Sequence, residues 1–311
     1  MRLLQTLPGF NSVGHGQKAE SNLAVGPTYD NIHLELFASH PTIGGGAPVL
    51  VTLANLGTHV SFINLIADGT KIVRRVTPAL LSAYLQRKNL LSRLADSAGT
   101  AIKSAVLPFA DPTRPEVVGQ DSTALGTLGI KQLILQVELL NPQIGGVSYT
   151  YSLRATGDLQ TQAAAGKLFA SLLEVWNVDS FDVIAGLKPF NTISTTDDLL
   201  GIILDNSAAG ITKVEVFADG NKTFSATNAD VFASIRYHQD AQGAVANSYF
   251  PLEFDRTRQV TDVMPLANRD ASGKPIVIDG KPQRVGDFSI EITATNAGNV
   301  KALRRNLWRG N

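Results

Sequence analysis

The sequence predicts an all-β protein with a few short helices, built as two similar antiparallel domains in tandem. Three observations lead there. Apolar and polar residues alternate with period two along many short segments, which Gly, Pro, Asn and Asp separate. One phrase occurs twice, as IADGTK from Ile66 and as FADGNK from Phe217, 151 positions later. A chain of 311 residues also exceeds the usual size of one hydrophobic core, so two domains are expected.

In chain order, the first clear strand puts Ile32, Leu34 and Leu36 on one face, opposite His33 and Glu35. Ile63 and Leu65 open a second, which runs into the turn pair Asp68-Gly69. A helix is predicted over residues 78–95, with Thr77 as N-cap, Pro78 at the first helical position, and Leu80, Leu81, Tyr84, Leu85 and Leu91 at helical spacing. Leu133, Leu135, Val137 and Leu139 alternate with polar neighbours, as do Val147, Tyr149, Tyr151 and Leu153. Residues 161–175 read as helix or linker. Val214 and Val216 precede Asp219-Gly220, and a helix over 229–239 is predicted behind a cap at Asn228. Phe288, Ile290 and Ile292 close the set of strands.

A constant offset of 151 superposes strand, Asp-Gly turn, second strand and capped helix, with Lys71 on Lys222 and Thr77 on Asn228. Turn chemistry, cap and apolar pattern agree together, which points to two copies of one β-fold. The expectation is a double jelly roll of two eight-stranded barrels, residues 1–160 and residues 161–311.

Lys+Arg and Asp+Glu number 27 each, so overall charge predicts neither nucleic-acid coating nor an acidic partner. Cysteine is absent, which removes disulfides and thiolate chemistry. The opening MRLLQTLPGF is too short an apolar run for a signal peptide, and no run approaches a membrane span. The five histidines (His15, His33, His40, His59 and His238) lack metal-ligand spacing and read as surface or loop residues. No phosphate-loop or nucleophile-elbow motif occurs. Asp197-Asp198, just before the apolar run LLGIIL, reads as strand entry or loop solvation. A glycan-processing enzyme on a double jelly roll is an alternative that the scarcity of Trp disfavours; a viral spike is another. Asn268, Asp270, Ser272 and Asp279 echo a calcium loop, against the reading of a Gly-rich surface loop, and no cofactor is expected otherwise.

From Thr293 to Asn311 there is no acidic residue, while Lys301, Arg304, Arg305 and Arg309 are interleaved with Val300, Leu303, Leu307 and Trp308. Arg2 lies in a similarly acid-free start. This pattern suits anionic lipid; it also suits a solvated tail or one packed on an adjacent subunit.

MRLLQTLPGFNSV, VGPTYDNIHLEL, IADGTK with its helix, ALGTLG, KVEVFADGNK and the closing RRNLWRGN occur in order along nearly the whole chain. Through them the sequence resembles the double jelly-roll major capsid proteins of tailless, internal-membrane icosahedral bacteriophages of the corticovirus type. Longer stretches at Ile43–Pro48 and Asn268–Arg284 also fit the related finnlakevirus type. The resemblance implies a non-enzymatic shell protein of the virion: a homotrimer giving pseudo-hexagonal capsomers over an internal lipid membrane. Its partners would be neighbouring trimers, minor and penton capsid proteins and the membrane, with no sequence-specific nucleic acid. Arg2, Lys301, Arg304, Arg305, Trp308 and Arg309 would face the membrane.

Overall fold

The computed structural model describes residues 2–88, 90–111, 121–160, 173–191, 193, 197–231, 248–254, 263–264, 266, 276–278 and 281–308. The chain divides into a first compact unit through Asn177 and a second over Val178–Trp308. The principal strands of the first are β1 (Arg2–Thr6), β2 (Lys18–Leu23), β3 (Thr28–Ser39), β4 (Val60–Ala67), β5 (Lys71–Val76), β6 (Ala105–Pro108), β7 (Leu133–Leu139) and β8 (Thr150–Gln160). One sheet runs β1-β8-β3, and the far edge of β3 is paired piecewise by Leu125–Gly126, β6 and Val49–Leu50. The other sheet runs β2-β7-β4-β5.

The next eight strands are β9 (Leu173–Val183), β10 (Gly186–Phe190), β11 (Asp198–Asp205), β12 (Ile211–Ala218), β13 (Asn221–Thr227), β14 (Tyr249–Glu253), β15 (Phe288–Ala294) and β16 (Gly298–Trp308). Their sheets run β9-β16-β11-β14 and β10-β15-β12-β13. Adding eight to each strand number of the first roll reproduces this order. Both are jelly rolls, and the all-β double jelly-roll expectation agrees with the structure.

Period-two patterning puts the core where it was expected. Ile32, Leu34 and Leu36 on β3 are buried, as are alternate residues of β7. In the second roll Val214, Val216, Phe250, Ile290, Ile292 and Val300 share one apolar cluster. Each such side chain contributes about 1.5–3 kcal/mol by leaving water.

The repeated phrase is a hairpin built twice with the same irregularities. Ladder pairing skips a residue between Val60 and Phe62 against β7, and between Ile211 and Lys213 against β15. The bulged residue is a hydroxyl residue both times. Ser61 Oγ donates to the Glu138 carbonyl at 3.3 Å, and Thr212 Oγ1 to the Thr293 carbonyl at 3.2 Å. Asp68 and Asp219 hold the left-handed φ of 50° and 48° that a tight Asp-Gly turn demands. Each aspartate also braces the chain leading into the next strand. Asp68 Oδ1 accepts from the backbone N–H groups of Lys131 and Gln132 at 2.8 and 3.2 Å, and Asp219 Oδ1 from those of Gly286 and Asp287 at 2.7 and 3.1 Å.

The constant offset fails after the turn. Ala67 pairs with Lys71, but Ala218 pairs with Asn221, so the second loop is one residue shorter. Asn221 therefore matches Lys71, and the helix cap is Thr227, not Asn228. Thr77 Oγ1 and Thr227 Oγ1 each accept from the N–H three residues on, Leu80 and Asp230, both at 3.3 Å.

Other helical expectations change as well. The helix predicted over 78–95 is α2 (Pro78–Arg87) followed by a separate 3-10 turn, Leu91–Leu94. A helix not foreseen, α1 (Leu53–His59), precedes it. Leu173–Val175 are strand rather than helix or linker, and residues 161–172 and 232–239 lie outside the described residues.

Candidate functional site

The acid-free C-terminal segment is not a tail over Gly298–Trp308. It is β16, the strand between β9 and β11. Val300, Leu303 and Leu307 are buried, and Lys301 points to solvent. Arg304 donates to Asp179 through Nε at 2.7 Å. Arg305 is wholly buried, and its Nη1 donates to Glu253 Oε2 at 2.7 Å. Both guanidinium groups are engaged by carboxylates of the second unit. Trp308 is half-buried at the strand end; Arg309 lies outside the described residues, as does the side chain of Arg2.

Opposite Arg305 the sheet requires a glycine. Arg305 pairs with Gly201 on β11, where a β-carbon would stand 2.7 Å from the Leu252 carbonyl oxygen. A buried ion pair needs such geometry to recover its desolvation cost. The first roll buries cations differently. Arg74 on β5 lies against the faces of Phe109 and Trp176, at 4.9 and 4.7 Å from the ring centroids. Lys88 pairs with Asp111 at 3.3 Å, both buried.

Two histidines expected at the surface or in loops are buried instead. His59, at the end of α1, hydrogen-bonds through Nδ1 with the Tyr151 hydroxyl at 3.0 Å and packs edge-on against Tyr149. Burial lowers its pKa and raises that of Tyr151 to about 12. His40 Nδ1 accepts from the Thr42 backbone N–H at 3.3 Å, so Nε2 carries the proton and donates to the Val147 carbonyl at 3.1 Å. His33 Nε2 contacts Asp158 at 2.9 Å. The aromatic and hydrogen-bond partners occupy these rings and arrange no reacting centre.

Asn268, Asp270, Ser272 and Asp279 lie outside the described residues, so the calcium expectation has no geometry to meet. Among the described residues no group of three His, Asp or Glu could hold a metal ion, and no helix is long and apolar enough to cross a membrane.

What the sequence reading missed is one end of the first roll. Ile43, Val49, Ile144 and Val147 are exposed there on two glycine-rich loops. The signal was present as an absence: no Asp, Glu, Lys or Arg occurs from Leu36 to Ala67 or from Leu139 to Leu153.

A family model described as the viral coat protein P2 N-terminal domain matches residues 4–160. No curated protein matches the chain. Among solved structures, the major capsid protein P2 of bacteriophage PM2 is similar with a TM-score of 0.74 at 17% identity, covering 100% of this chain and 98% of that one. The Sulfolobus turreted icosahedral virus structure follows with 0.64 at 14%, covering 99% and 91%. The PBCV-1 virus capsid gives 0.60 at 11%, covering 99% and 92%. At these identities the likeness is one of fold.

Proposed function

From the premise that the chain belongs to the viral coat protein P2 family, we propose how it builds a shell. The protein is a structural capsid protein of a virion, not an enzyme. Three copies associate as a homotrimer, and their six upright rolls give a pseudo-hexagonal outline. Neighbouring trimers tile side by side over an internal lipid membrane, with minor and penton capsid proteins filling the remaining positions. The assembly recognises no nucleic-acid sequence and needs no cofactor.

One observation carries this reading: two rolls of the same strand order, with the same bulges, turn and cap, in a single chain. A threefold object made of such chains presents six similar flanks and so fits a site with six neighbours. The barrels also leave little open sheet edge, which limits wrong pairing at high concentration.

Lipid contact falls to Arg2, Lys301, Trp308 and Arg309, because Arg304 and Arg305 are engaged with Asp179 and Glu253. Native mass spectrometry of the purified protein gives a trimer on this account; a stable monomer at micromolar concentration contradicts it. For the membrane, flotation with vesicles containing phosphatidylglycerol falls in the variant K301Q/R309Q. Unchanged flotation removes the lipid assignment.

A further inference from the structure

We draw no further inference here: the strongest candidate, an acid-opened latch in the side-chain cluster where the His40 and His59 rings flank Tyr149 at the loop end of the first roll, rests only on the lowered pKa of His59, because Thr42 Oγ1 stands 2.8 Å from His40 Nδ1 and a protonated His40 ring keeps a partner there.

Discussion

The two rolls agree in backbone devices and differ in what they bury. Bulge, turn and cap recur as Ser61 and Thr212, Asp68 and Asp219, Thr77 and Thr227. Buried charge does not recur. Arg74 faces Leu65 across the first hairpin, whereas the matching rung of the second holds Phe224 opposite Val216. At the same position of β8 and β16 stand Asp158, opposite Asn31, and Arg305, opposite Gly201. Asp158 accepts from Asn31 across its rung at 3.1 Å, whereas Arg305 passes Gly201 to donate to Glu253 on the next strand at 2.7 Å. Strand order therefore follows from groups that satisfy the backbone at the places where a ladder ends or slips. The core interior tolerates exchange as long as volume and hydrogen bonds are met.

The difference can be broken most severely at Glu253. E253Q leaves the Arg305 guanidinium buried against a neutral partner and is expected to destabilise the second roll by about 3–5 kcal/mol. The two tryptophans report separately, Trp176 in the first unit and Trp308 in the second. Denaturant unfolding should move the Trp308 transition in a W176F background and leave that of Trp176 in a W308F background unchanged.

The likeness is sharpened by D68A and D219A. Each removes a carboxylate that accepts two backbone N–H groups, and each should cost its own unit about 1.5 kcal/mol. Equal losses, read by the same two reporters, are expected; a large loss in one alone would show that the aspartates are not equivalent. Smaller still are the caps. T77A and T227A should each cost about 1 kcal/mol, whereas N228A, at the position that a constant offset selects, should leave the cap intact.

Acid destabilises both rolls, but in different windows. Burial lowers the pKa of His59, so its contribution is present above 6.5 and is lost as pH falls through the lower folded value. Glu215 is lowered from 4.5 to about 2, chiefly by hydrogen bonds from Lys222 and then Lys213. Its contribution is complete above 4.5 and disappears between there and about 2. On titration from neutral pH the Trp176 transition should weaken first. Simultaneous weakening of both would contradict the assignment of these groups.

Much of this was legible in the sequence because period two survives where side chains inside are apolar. Ile32, Leu34 and Leu36, or Phe288, Ile290 and Ile292, declare their strands without help. β16 did not, because both its faces hold buried residues, Val300 and Ala302 in the apolar cluster and Leu303 and Arg305 on the other face, so period two is lost and the strand resembles a basic tail. The hairpin was found from its Asp-Gly turn, but a gapless offset cannot register the residue lost at Asn221. Thr227 with Asp230, which accepts back from the Thr227 N–H at 2.9 Å, was the local signal for the true cap. His40 and His59 were misplaced because burial of a lone histidine depends on partners distant in sequence, Val147 and Tyr151.

The central claim is that one roll occurs twice so that three chains can imitate a hexagon. Electron cryomicroscopy of the purified oligomer tests it most directly. The account predicts a threefold particle with six barrel densities in a hexagonal outline. A particle with any other number of chains, or with the second rolls splayed away so that three flanks remain, would contradict it.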